Sequence, residues 1–129
     1  MSIDGSPGDA HRQDRILVVD DHPDNVEIIN ARLSSRGFVV ETATNGQEAL
    51  DQVHANPPHL ILLDVMMPLM DGYEVARRIK KNPALSGIRL VAHTGYGSPE
   101  DRKRAMDAGF DAHLVKPAEL PDLEKALKG

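Results

Sequence analysis

Asp20, Asp21, Asp64, Thr94 and Lys116 are the residues whose types and positions suit a common chemistry. Each follows a short apolar run. Residues 16–19 precede the acid pair, Leu60–Leu63 precedes Asp64, 90–92 lead to Thr94, and 114–115 precede Lys116. Three gathered carboxylates repel one another and cost free energy unless a cation sits among them. Hard oxygen ligands select Mg²⁺ or a similar ion, which keeps several waters and takes one or two carboxylates. An ion held in that way can clamp a phosphoryl oxygen. Lys116 can meet a second oxygen as a point charge, and the Thr94 hydroxyl with a nearby backbone N–H can meet the third. Asp64 then has the part of nucleophile, since aspartate carboxylates form acyl phosphates. Phosphoryl transfer asks mainly for positioning and charge neutralisation, which this set supplies.

Singly, each residue has a plainer reading. An Asp after a strand is commonly a cap or turn residue, and Asp20-Asp21-His22-Pro23 could be no more than a capped helix start. The case rests on all of them standing at the ends of strands of one sheet.

The elements that must position them are legible from hydrophobic spacing. The apolar runs 16–19, 38–40, 60–63, 90–92 and 114–115 alternate with stretches of helical period. Val26, Ile29 and Leu33 share one helical face. So do Ala49, Leu50 and Val53; Val75, Ala76 and Ile79; and Leu120, Leu123 and Leu127. Gly37 and Gly109 follow helical patterns, Asn45-Gly46 marks a turn and a helix start, and Ser98-Pro99-Glu100-Asp101 opens a helix with Pro in its first turn. Five βα units predict a parallel sheet with helices on both faces. Ligands of such sheets bind at the carboxyl ends of the strands, where the strand order reverses.

The chain has 129 residues, enough for one domain with one core. Hydrophobic residues at 40% and charged residues at 27% give a soluble globular balance, and with 3% aromatics the core must be built of Leu, Ile, Val, Ala and Met. There is no cysteine, which excludes disulfides and thiolate metal sites. The net charge of −5 argues against non-specific binding to nucleic acid or anionic membranes. No apolar run approaches the roughly 20 residues that span a bilayer, and the first residues lack a signal-peptide core. The expected address is the cytoplasm. Residues 1–14 are polar with two Gly and one Pro, and are expected to be a disordered lead or linker before a domain at 15–129. The six histidines show no metal-ligand spacing on one helix, and His22 is expected at the surface. The run Arg77, Arg78, Lys80, Lys81 is expected to be a solvated helix face.

From residue 15 to residue 128 the sequence resembles the receiver domain of two-component response regulators. The segments ILVVDDHPDN, LILLDVMMPLMDGYEVARRI, LVAHTGYG and AGFDAHLVKP carry the likeness, in that order and at the family's separations. The resemblance implies a three-layer (βα)5 flavodoxin-like fold with strand order 2-1-3-4-5. It also implies that Asp64 is the phosphoacceptor, that Asp21 binds Mg²⁺ directly, and that Asp20 reaches it mostly through water. The backbone carbonyl of Met66 completes the ligands. Thr94 and Lys116 bind phosphoryl oxygens, Pro117 follows a cis peptide bond, and the small Gly95 leaves room for the donor. That donor is a phosphohistidine on a sensor histidine kinase or a histidine phosphotransfer domain. It docks on the helix starting near Pro23 and on the loops around 67–70 and 117–119. Such a domain phosphorylates itself, loses the group slowly to water and switches conformation, as a monomer or weak homodimer.

The sequence departs from the family at two places. His113 stands where a Tyr or Phe usually moves with the threonine, and His93 stands where an apolar residue is common. Whether Tyr96 or His113 itself supplies the moving ring is left open by the sequence. With Met66, two residues past Asp64, Tyr96 is expected to set the lifetime of the acyl phosphate by limiting the attacking water. The cluster Met66, Met67, Leu69 and Met70 is open to two readings, a partner-binding surface or packing of its own loop.

Two other functions compete. A phosphatase of the haloacid dehalogenase type needs a second acid two residues after its nucleophile, and Met66 occupies that position. A receiver that is never phosphorylated and only binds partners is favoured by His113 alone and opposed by the complete acid, hydroxyl and lysine set. Whether the chain acts alone or within a larger hybrid kinase is left open by the sequence, as are its signal and output.

Overall fold

A computed structural model describes residues 14–67, 70–95, 97–116 and 118–128, with side chains as far as residue 126. The expectations placed on residues 1–13, Leu69, Tyr96, Pro117 and the Leu127 side chain lie outside it. Among the described residues, five strands alternate with five helices. The strands are β1 (Arg15–Val19), β2 (Val39–Ala43), β3 (Leu60–Leu63), β4 (Arg89–Thr94) and β5 (Ala112–Val115). The helices are α1 (Pro23–Ser34), α2 (Gly46–Ala55), α3 (Gly72–Lys81), α4 (Pro99–Ala108) and α5 (Leu120–Lys128). The sheet is parallel throughout and runs β2-β1-β3-β4-β5, the order expected.

Side chains alternate across a strand, so each strand feeds two cores. Leu17, Val19, Ile61, Leu63, Leu90 and Ala92 pack with residues of α2, α3 and α4. Ile16, Val18, Leu60, Leu62 and Val91 pack with residues of α1 and α5. β3 lies between β1 and β4, with all four residues buried, which is why it reads as an unbroken apolar run. The helical faces lie as expected. Val26, Ile29 and Leu33 of α1, Ala49, Leu50 and Val53 of α2, and Val75, Ala76 and Ile79 of α3 are all buried.

Local chemistry fixes the helix ends. The Asn45 side chain accepts from the Glu48 N–H at 2.8 Å, and the Asp71 side chain accepts from the Glu74 N–H at 3.0 Å. Ser98 and Asp101 form a reciprocal capping box. Gly109, in the left-handed region with φ 107°, ends α4. Among the described residues no helix is long and apolar enough to cross a membrane.

Only β3 coincides with its run: β1 begins one residue earlier, at Arg15, and β4 spans Arg89–Thr94 where the run covers 90–92. The second strand is Val39–Ala43, not 38–40, and Phe38 is a buried residue just ahead of it. β2 is an edge strand whose residues are mostly part-exposed, so Glu41 and Thr42 interrupt the apolar pattern without interrupting the pairing. The fifth strand begins at Ala112, two residues before its apolar pair.

Candidate functional site

The strand order reverses at β1, and the residues that follow β1 and β3 meet there. Val19 pairs with Leu63, so Asp20 and Asp64 leave the sheet side by side. The ladder runs one residue beyond each strand. Asp20 N–H donates to Ala43 O at 3.2 Å, Asp64 N–H to Val19 O at 2.9 Å, and Lys116 N–H to Thr94 O at 2.7 Å. The backbones under three of the expected site residues are thus held by the sheet.

Lys116 joins the two carboxylates. Its Nζ donates to Asp20 Oδ2 at 2.8 Å and to Asp64 Oδ2 at 3.2 Å. The opposite oxygens are held by backbone: the His22 N–H donates to Asp20 Oδ1 and the Met66 N–H to Asp64 Oδ1, both at 2.9 Å. Asp20 and Asp64 are 1% and 3% exposed, so their charges cannot be left to water. Asp21 lies beside them. Its Oδ1 is enclosed and accepts no hydrogen bond among the described residues, although His22 Nδ1 stands 3.2 Å away without the alignment of one. One ligand atom each from Asp20, Asp21, His22 and Asp64 fall within 4.8 Å of one another.

Burial and pairing pull these groups in different directions. For Asp20, burial raises the pKa, but the bonds from Lys116 and His22 outweigh it and hold the carboxyl below its ordinary value. For Asp64, burial wins over the Met66 N–H and Lys116, and its pKa is raised, with the Asp20 charge adding to the effect. For Lys116, burial is outweighed by the two carboxylates, and its pKa is raised. The ammonium therefore stays charged. An enclosed carboxylate oxygen with no donor, beside two more carboxylates, is the condition a hard divalent cation relieves. The donor set fits Mg²⁺.

Thr94 ends β4 with its side chain buried. Gly95 is exposed, and a Cβ built there meets none of the described residues beyond its chain neighbours within 4 Å, so among them the space beside Thr94 is open. His113 is buried in β5. The methionine cluster divides: Met67 is buried in the core, Met70 packs against it, and Met66 is 55% exposed beside the site. His93 faces the α1 and α5 side, as its alternation with Thr94 requires. Its Nε2 is buried and meets no hydrogen-bond partner among the described residues. Burial, with a smaller push from Lys116, takes its pKa down to about 4, so the ring is neutral near pH 7.

Two residues gained no part in this site from sequence reasoning. Gly72 opens α3 against the back of Asp64: a Cβ there would lie 2.5 Å from the Asp64 carbonyl oxygen and 2.7 Å from the Val65 Cα. Its signal was the Asp71-Gly72 pair at a helix start that needs no positive φ. His22 was expected at the surface, and its side chain is 65% exposed, yet Nδ1 turns inward to within 3.1 Å of Asp20 Oδ1. Its signal was a histidine at an N-cap, a place that favours Ser, Thr, Asp or Asn.

The family model described as the response regulator receiver domain matches residues 16–128. The gliding motility regulatory protein of Myxococcus xanthus is 43% identical over 83% of this chain, which spans 14% of that protein. The "Probable transcriptional regulator" of Guillardia theta is 35% identical over 93% of the chain, which spans 46% of it. An uncharacterized 14.6 kDa protein of Leptolyngbya boryana is 38% identical, with 84% of this chain and 82% of that one covered. Among solved structures, the chemotaxis protein CheY4 of Vibrio cholerae superposes with a TM-score of 0.83 at 30% identity, covering 89% of this chain and 96% of that one. The signal receiver domain of a histidine kinase from Syntrophus aciditrophicus gives 0.81 at 34% identity, covering 89% and 87%.

Proposed function

We propose, for a chain that belongs to the response regulator receiver domain family, that Asp64 accepts a phosphoryl group and thereby switches the conformation of the domain. The observation that carries the reading is the buried Asp64 carboxylate tied to Asp20 through Lys116, with the enclosed Asp21 oxygen beside them. An Asp64 oxygen attacks phosphorus, the new O–P bond forms, and the P–N bond of a donor phosphohistidine breaks with its electron pair going to the imidazole. The donor is a sensor histidine kinase or a phosphotransfer domain.

Asp20, Asp21, Asp64 and the Met66 carbonyl would hold Mg²⁺. That ion, when bound, neutralises charge on the phosphoryl oxygens. Lys116 is placed to turn from Asp64 to one phosphoryl oxygen, and Thr94 with the Gly95 backbone to another. The raised pKa of Asp64 marks a carboxylate that gains from a cation at its side. The open space at Gly95 admits the donor.

The signal leaves through Thr94, with Tyr96 or His113 as the moving ring, and Met66 and Tyr96 govern hydrolysis. The domain spans 15–129 after a lead or linker at 1–14, acts in the cytoplasm, and is a monomer or weak homodimer that binds no nucleic acid and no membrane. Its donor docks over α1, where Ile28 is 52% exposed and a cavity lined by Ile29, Arg32 and Ala118 reaches Lys116. The test is intact-protein mass after incubation with a small-molecule phosphodonor and Mg²⁺. A gain of one phosphoryl group is expected in the wild type and none in Asp64→Asn. No gain in the wild type would leave the chain a binding module.

A further inference from the structure

His22 is the N-cap of α1, yet its side chain makes no cap hydrogen bond. Its imidazole folds back over the acid pair instead. Nδ1 is hydrogen-bonded to Asp20 Oδ1 at 3.1 Å and stands 3.2 Å from Asp21 Oδ1, the enclosed oxygen that accepts no hydrogen bond among the described residues. Two ligand atoms at right angles on an ion with bonds of about 2.1 Å lie about 3.0 Å apart. The separations from Nδ1 to both oxygens are thus those of neighbouring vertices of one coordination polyhedron. Asp64 completes a cluster whose ligand atoms lie within 4.8 Å of one another. The remaining Asp20 oxygen is taken up by Lys116 at 2.8 Å, which leaves Oδ1 as the one turned to the cluster.

We propose that His22 is a metal ligand, which makes this a mixed nitrogen–oxygen centre that takes divalent transition ions such as Co²⁺ or Zn²⁺ more tightly than Mg²⁺. The inference rests on the reading of the acid cluster as a metal site. An all-oxygen set suits Mg²⁺, whereas an imidazole nitrogen adds little for Mg²⁺ and much for ions later in the first transition row. The nitrogen is already in place, so binding asks little reorganisation of the chain. The backbone N–H of His22 also holds Asp20 Oδ1 at 2.9 Å, so the same residue fixes one carboxylate and offers the next ligand. Transition ions would then compete with Mg²⁺ for the receiver, and occupancy would follow which of them is available.

The probe is Co²⁺, with Mg²⁺ as the control, on the full chain. His22→Gln removes the imidazole without removing a cap bond, and its circular dichroism checks the fold. Calorimetry should show Co²⁺ affinity falling about tenfold or more in His22→Gln, the size of loss that disturbed metal ligation brings, while Mg²⁺ affinity stays within about twofold because its ligands are oxygens. Proton NMR of the Co²⁺ form should show a strongly shifted, solvent-exchangeable imidazole N–H that is absent from His22→Gln. Equal Co²⁺ affinity in the two proteins, or a shifted resonance that survives the substitution, overturns the role of His22 and leaves the acid site standing. Failure of the wild type to bind either ion overturns the metal site itself.

Discussion

Two buried polar centres sit on neighbouring strands and meet opposite fates. Asp64 follows Leu63 on β3, and His93 follows Ala92 on β4, and those two preceding residues are paired in the sheet. At the strand ends, Asp20 and Lys116 hold their charges by contact with each other, and Lys116 offsets part of what burial costs the Asp64 carboxylate. His93 faces the apolar layer under α1 and α5 with its Nε2 unbonded among the described residues, and gives up its charge. Burial weighs on both centres. The difference is the partner, which decides whether a buried group remains ionised or turns neutral.

The sharpest way to break that contrast is to remove the cation. Lys116→Ala leaves Asp20 and Asp64 buried and unpaired. Loss of one partner from a buried ion pair costs about 3–5 kcal/mol, and the low end applies because the lysine side chain is 22% exposed. Urea unfolding in metal-free buffer should therefore show a loss of about 3 kcal/mol, partly regained in excess Mg²⁺. A loss under about 1 kcal/mol would mean that the pair is solvated rather than buried.

Acid should reach His93 first. The unfolded ring takes its proton near pH 6.5 and the folded one only near pH 4, so stability present above pH 6.5 is lost as pH falls through that window. The loss approaches about 3 kcal/mol at pH 4. Asp64, with its raised pKa, works against this in the acid limb, because its protonation favours the folded form. The contribution of Asp20, with its lowered pKa, is held until below its ordinary 3.8. The measurement is therefore the difference between the wild type and His93→Leu, by urea unfolding at several pH values. The gap should open in favour of the variant from pH 6.5 to pH 4, and parallel curves would show that His93 is not neutralised by burial.

The smallest effect sharpens the first. Asp64 is the member of the cluster whose charge burial disfavours. Asp64→Asn should raise metal-free stability by about 1 kcal/mol, by removing one buried like charge beside Asp20. Mg²⁺ should raise the melting temperature of the wild type by more than that of the variant. A destabilised Asp64→Asn would show that Lys116 fully compensates the acid.

The parts of this molecule legible in sequence are those fixed by period and type. The runs that became β1 and β3 and the faces of α1, α2 and α3 follow from which side chains must leave water. The acid, hydroxyl and lysine positions follow from where strands end. The limits of β2 were hidden because an edge strand, part-exposed along most of its length, tolerates polar residues such as Glu41 and Thr42. α4 showed a cap but no stripe, because it buries only Ala105 and Ala108. His22 and Gly72 were hidden for another reason: one acts through the direction its ring turns, the other through an atom it lacks. Spacing along a chain carries neither.

The claim that Asp64 is the phosphoacceptor is tested most directly by finding where the group goes. After treatment with a phosphodonor and Mg²⁺, borohydride reduces an aspartyl phosphate to homoserine, which peptide mass spectrometry places by position. The account predicts homoserine at position 64 alone, dependent on Mg²⁺. Homoserine at any other aspartate, or at none in a protein of native fold, would contradict it.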